Sequence, residues 1–205
     1  YEIITSPITG KRWLDRNLGA SQACTSSTDA LCYGDYFQWG RLADGHEKAN
    51  SSITSTLATG ITSAGSSFIT VGSPWDWTTS DSDGSLRTAQ WSKADGTGVC
   101  PVGFRVPTET ELANETTGYA GSDNTSTGAV KVIDSATAFS NFLKFPVAGY
   151  RDNVDGSVDG QGSWGNVWTS SVSGSGSVGV GFDSGNAYWY GDYRADGLSV
   201  RCVEN

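Results

Sequence analysis

Apolar residues in this sequence fall in short alternating runs, each bounded by Gly, Asp, Ser or Pro. The opening "YEIITSPITGKRWLDRNLG" reads as two short strands around a Pro/Thr/Gly turn. Toward the C terminus, "FPVAGYRD", "GNVWTSSV", "SVGVGFDS", "NAYWYGDY" and "GLSVRCVE" are strand-like runs with turn residues between them. Alternation in "NAYWYGDY" sends Trp189 to one face and Tyr188 and Tyr190 to the other. Helical spacing is rarer. Asp29 can cap a helix through "STDALCYGDYFQWGRLADG", where Leu31, Tyr36, Trp39 and Leu42 make a rough stripe. Thr108 and Glu111 form a capping box directly after Pro107, so a second helix starts there and runs to about Gly118. "DSATAFSNFLKF" adds a further helical turn or two. Residues 43 to 74, poor in charge and rich in Ser, Thr, Ala and Gly, form a long excursion loop. Two early helices followed by antiparallel strands and long loops predict an α+β fold. No repeat or linker divides residues 1 to 205, which are taken as one domain.

Composition sharpens this picture. The 205 residues include 27 Gly, 8 Trp, 8 Tyr, 7 Phe and no Met, so aromatic and β-branched side chains must fill the interior. A formal charge of −9 with 13 Lys plus Arg leaves no basic stripe for nucleic acid or for an anionic membrane surface. No apolar run approaches ~20 residues, so no membrane insertion is expected. The four cysteines lack C-x-x-C spacing, and one His offers little for zinc. Two disulfides in an oxidising compartment explain them better, which points to an extracellular location. Four cysteines allow three pairings. The favoured one joins Cys24 to Cys32 across a short loop, and Cys100 to Cys202. The abrupt strand-like start suggests a domain excised from a larger extracellular protein.

Taken together, "GKRWLDRNLGA", "DALCYGDYFQWGRLADGHE", "SPWDW", "GVCPVGFRVPTETEL", "FPVAGYRD", "GNVWTSS" and "GLSVRCV" resemble the Fibrobacter succinogenes major paralogous domain family. The likeness runs in order from about Lys11 to Val203. It implies a C-type-lectin-like fold, shared with formylglycine-generating enzymes, in a secreted or surface domain. Similar domains also serve as ligand-binding modules near the tips of very large calcium-dependent bacterial adhesins. The oxidase chemistry of that superfold needs two neighbouring cysteines in the C-terminal third, and Cys202 stands alone there.

Candidate chemistry is therefore sought in binding groups. Ca²⁺ takes six to eight oxygens, and Gly permits the turns that aim them. Three acidic loops qualify: "DWTTSDSDG" with Asp76, Asp81 and Asp83, "RDNVDGSVDG" with Asp152, Asp155 and Asp159, and "YGDYRADG" with Asp192 and Asp196. None has the EF-hand spacing, and Asp-Gly alone can simply mark a β-turn. Trp77, Trp164, Tyr188, Tyr190, Asp192 and Arg194 are the candidate ligand contacts, because aromatics beside acidic loops suit stacking or a side-chain pocket. Trp75, like Trp13, Trp39 and Trp168, is assigned to scaffold. Arg105, Arg151 and Arg201 are expected to satisfy buried carboxylates or carbonyls. His46 is read as a loop residue, and Glu109, Glu111 and Glu115 as helix-start charges. The expected function is non-enzymatic: a Ca²⁺-dependent, monomeric adhesin module that binds a peptide on another cell, such as the C-terminal end of a polypeptide. A lectin module is the alternative, and an enzyme of the formylglycine-generating type a further one.

Overall fold

The computed structural model describes residues 1–116 and 131–205. In sequence order its strands are β1 (Ile3–Thr5), β2 (Arg12–Leu14), β3 (Phe37–Gln38), β4 (Ile53–Thr54), β5 (Phe68–Ile69), β6 (Phe104–Arg105), β7 (Tyr150–Arg151), β8 (Val158–Asp159), β9 (Gly165–Ser173), β10 (Gly176–Phe182), β11 (Ala187–Asp192), β12 (Gly197–Leu198) and β13 (Val203–Glu204). They form small sheets in the orders β1-β2-β13-β6, β3-β12-β7-β8 and β11-β10-β9, all antiparallel, plus a parallel β4-β5 pair inside the 43–74 excursion. The fold is thus strand-rich and mixed. No helix among the described residues is long and apolar enough to cross a membrane.

Among the described residues three α-helices accompany the sheets: α1 (Ser85–Trp91), α2 (Glu109–Glu115) and α3 (Ser135–Ser140). α2 begins on the expected capping box, with Thr108 accepting from the Glu111 N–H. Its expected end at Gly118 lies outside the described residues. Asp134 caps α3 in the same way through Thr137.

The helix expected after Asp29 is corrected. Asp29 does cap, but over a single 3₁₀ turn, Ala30–Cys32. Gly34 and Gly40 both adopt φ of 78°, which no right-handed helix tolerates. A Cβ on Gly34 would also sit 2.4 Å from the Leu18 carbonyl, so the close approach needs glycine. Beyond it Phe37–Gln38 form the strand β3, Tyr36 to Trp39 are all buried, and Leu31 of the supposed stripe is exposed.

β9 lies between two apolar cores. Trp168 points into one with Leu14, Trp39, Trp91 and Leu198, while Val167 points into the other with Trp13, Phe145 and Phe182. Every buried indole N–H finds an acceptor on another segment, as such groups must: Trp13 reaches the Glu115 carboxylate and the other four reach backbone carbonyls. Trp39 donates to Thr169, Trp77 to Trp39, Trp91 to Arg41 and Trp168 to Phe37, all within 2.8–3.0 Å. These bonds lock strand to loop and fix the frame that carries the site. Both favoured disulfides are present, Cys24–Cys32 and Cys100–Cys202, and no cysteine is free. They suit an oxidising compartment.

Candidate functional site

The site starts from a strip of missing side chains. On one face β10 presents Ser177, Gly179 and Gly181, which pair with Asp192, Tyr190 and Tyr188 of β11. On the other side Gly181 pairs with Asn166 of β9. A Cβ at Gly181 would meet both tyrosine rings, at 2.7 and 2.9 Å, so glycine is what lets them lie across the strand. Their rings sit 5.5 Å apart, and the Tyr190 hydroxyl donates to Asn166 Oδ1 at 2.7 Å. Trp189 turns the opposite way and packs on the second core, as the alternation requires.

A cavity of about 390 Å³ opens above this floor. Its far wall carries Tyr150 of β7 with Asp152 and Asn153 just beyond it, and Trp164 from the turn before β9. The Trp164 ring stacks on Tyr150, with centroids 6.2 Å apart and planes at 22°. Asp183 closes the hairpin end, and Tyr193 and Asp196 close the other. Among the described residues the lining contains five aromatic side chains, four aspartates and no Lys or Arg.

Two of those aspartates dominate the electrostatics. Asp196 is 5 % exposed, and its Oδ1 accepts the Asn153 N–H at 2.9 Å. Burial, with the Asp192 carboxylate beside it, pushes Asp196 up to about 9. Burial also raises Asp192, whose Oδ1 accepts from the Tyr193 N–H. Two carboxyls so close in a poorly solvated pocket cannot both be charged without a cation; they titrate as a pair. The same burial raises Tyr188 and Tyr190, so both remain neutral phenols.

Of the sequence-derived site residues, the cavity unites Trp164, Tyr188, Tyr190, Asp152, Asp192 and Asp196. The first acidic loop is elsewhere and is corrected. Asp76 receives Arg87 Nη1 and Nη2 at 2.6 and 2.8 Å, and Asp81 receives Arg87 Nε and the Leu86 and Arg87 N–H groups. With their oxygens held by a guanidinium and a helix start, neither can form a Ca²⁺ site. Asp83, exposed, accepts from Ser85 N at the same helix start. Arg194 is also corrected: it is 1 % exposed and bonds Asp76, the Ser82 carbonyl and Ser177. Trp77 is fully buried under Arg41 and Arg87 and leaves no face for a ligand. Asp155 and Asp159 hold the β7–β8 turn through Ser157 and stay outside the cavity.

Tyr150, Asn166, Asp183 and Tyr193 of the lining, and Trp75 at its rim, were missed. Trp75, assigned to scaffold, is 37 % exposed and stacks on Tyr193 at 4.7 Å, so it buttresses the rim. Tyr150 lines the wall, although "FPVAGYRD" reads simply as a strand. The arginine expectations hold: Arg105 grips Glu111, Arg151 bonds the His46, Lys48 and Ser51 carbonyls, and Arg201 those of Leu14 and Leu143.

His46 sits apart, clustered with Asp44 and Glu47. Its Nε2 accepts the Gln38 N–H at 3.1 Å, which leaves the ring proton on Nδ1 to donate to Asp44 at 2.6 Å. Arg41 holds the other Asp44 oxygen, and Glu47 accepts from Gly45 N. Burial lowers the His46 pKa, so this is a neutral, internally satisfied corner. Comparisons with known protein families, with curated proteins and with solved structures return no match.

Proposed function

We propose that this protein is a non-enzymatic, extracellular ligand-binding module of the bacterial-adhesin kind, which recognises a peptide's terminal carboxylate through Ca²⁺. The observation that carries this proposal is the Asp192–Asp196 pair, Asp196 buried and Asp192 half-buried, in an aromatic cavity whose wall has no Lys or Arg. Such a pair calls for a proton or a cation. The nearby donors are all oxygens, from Asp192, Asp196 and Asp152, with the Asn153 and Asn166 side chains in the same wall. Hard oxygen donors of this kind fit Ca²⁺ and disfavour zinc or copper. Once bound, Ca²⁺ supplies the positive charge that a ligand carboxylate needs and that the protein's own side chains do not. Tyr150, Trp164, Tyr188 and Tyr190 would then enclose the adjoining apolar groups.

The family resemblance, with its C-type-lectin-like fold and surface location, supports the same assignment. Both disulfides consume the cysteines, so the two-cysteine oxidase chemistry has no free thiols here. A sugar ligand is the second possibility, favoured by the 44 % exposed Trp164 ring, which offers a flat stacking face. Calorimetric titration of the chelated protein with Ca²⁺, then with peptides bearing free or amidated C termini, tests the proposal. Ca²⁺ binding that is lost in Asp196→Asn, and peptide binding that needs both Ca²⁺ and a free carboxylate, are expected. Ca²⁺-independent binding, or indifference to amidation, would sink it.

A further inference from the structure

A second depression, of about 450 Å³, adjoins the first and shares Trp164 and Asp183 with it. Five separate segments build it, one of them contributing Val147. The Cys24–Cys32 loop brings Ser27 and Thr28, pinned where the Ser27 carbonyl accepts from Val147 N at 2.9 Å. The start of α3 brings Ser135, whose N–H donates to the Asp183 carbonyl at 2.7 Å. Ser163 comes from the turn before Trp164, and Ser184 from the β10–β11 hairpin.

The chemistry differs sharply from that of the first cavity. Five hydroxyls, on Ser27, Thr28, Ser135, Ser163 and Ser184, face this depression, and none of them bonds to another group among the described residues. Hydroxyls that are not used internally can each both donate and accept. That capacity matches the alternating N–H and C=O groups of an extended polypeptide. Asp183 is the sole charged wall residue, and its Oδ1 is already held by the Gly185 and Asn186 N–H groups. Trp164 forms the saddle between the two cavities, its ring held against Tyr150.

We infer that the hydroxyl-lined depression is a second subsite, which takes the residues preceding the ligand's terminus after the peptide has crossed Trp164. It selects an uncharged or basic segment and disfavours an acidic one, because the sole charged residue of its wall is the carboxylate of Asp183. This rests on the peptide assignment made above.

The test is a random peptide library displayed with free C termini, selected on the disulfide-bonded protein with millimolar Ca²⁺. The best binder is then shortened one residue at a time from its N terminus. Selection should act on several positions before the terminal residue, with acidic residues depleted there. Removing those positions should weaken binding about tenfold. Ser184→Trp, at an exposed turn, should weaken the long peptide similarly and leave the shortest binding peptide unchanged. If selection is confined to the terminal residue and Ser184→Trp changes nothing, the second subsite falls while the carboxylate site stands. If no peptide is selected, or if glycans on an array bind instead, both assignments fall together.

Discussion

Arg87 clasps Asp76 with both terminal nitrogens, at 2.6 and 2.8 Å, and the pair is sealed between the rings of Trp39 and Trp77. Arg194 adds a second guanidinium beside Asp76 at 3.3 Å. The carboxylate is therefore the counter-ion of the core's cationic side, which is why it has nothing left for a metal. Asp76→Ala leaves buried guanidinium charge without its partner and should destabilise the protein by about 3–5 kcal/mol. Asp83→Ala, which removes only an exposed helix-start contact, should leave the stability almost unchanged. Urea unfolding of both variants checks the contrast. Equal, small losses would mean that the ion pair is dispensable.

That ion pair also explains what could be read in the sequence and what could not. Asp76, Asp81 and Asp83 look like a metal loop because their partner is an arginine brought near by the turn into α1. α1 itself escaped notice because its inward stripe is Arg87, Gln90 and Trp91, two of them polar, while its Leu86 faces solvent. Periodicity of apolar residues cannot find such a helix. In the opposite direction, Leu31, Tyr36, Trp39 and Leu42 mimicked a helix, and the two left-handed glycines between them carried the contrary signal. The terminal strands and the Thr108–Glu111 capping box were legible because alternation and capping are local, whereas β3, β4 and β5 fall where a helix or a loop was expected. The β11 side of the cavity was legible for the same reason: Tyr188, Tyr190 and Asp192 recur at period two. Tyr150 and Trp75 were not, since their place in the wall and rim depends on long-range packing.

Glu111 joins two segments that the sequence separates. It closes the α2 capping box, receives both Arg105 terminal nitrogens at 2.7 Å, and pairs with Lys11 at 3.0 Å. Burial opposes its charge, yet Arg105, the Thr108 N–H and Lys11 together hold it down to about 2. Its stabilising contribution is therefore complete above the unfolded-state value near 4.5 and is lost as pH falls through about 2. Glu111→Gln should cost about 1–2 kcal/mol at neutral pH and nearly nothing at pH ~2. Denaturant midpoints at the two pH values decide it; a gap that persists in acid would contradict the assignment.

The two disulfides should differ in weight. Cys100–Cys202 spans 102 positions and lies in the first core, while Cys24–Cys32 spans 8. Loop-closure entropy gives about 4–5 kcal/mol for the long link and about 2–3 for the short one. Replacing each pair with serine, followed by thermal unfolding under non-reducing conditions, should reproduce that order. The short link has a second role, since its loop presents Ser27 and Thr28 to the hydroxyl-lined depression. Cys24→Ser/Cys32→Ser should accordingly weaken long peptides more than the shortest binding one.

The Asp192–Asp196 pair makes a pH prediction with a definite sign. In the metal-free protein Asp196 is raised to about 9, against about 4 for an unfolded aspartate. The folded state therefore keeps a proton that the unfolded polypeptide releases. Its stabilising effect is fully present below about pH 4 and fades as pH climbs through 9. With a chelator present, the melting temperature should fall steadily from about pH 5 to pH 8. Asp196→Asn should flatten that fall, because an amide stays neutral at every pH. Ca²⁺ must displace the proton, so its affinity should rise over the same interval and its binding should release protons into weakly buffered solution. Melting curves of the two proteins, with chelator and with Ca²⁺, test each part. Parallel pH profiles for wild type and Asp196→Asn would show that the pair is not the proton-holding group, and the metal assignment would lose its foundation.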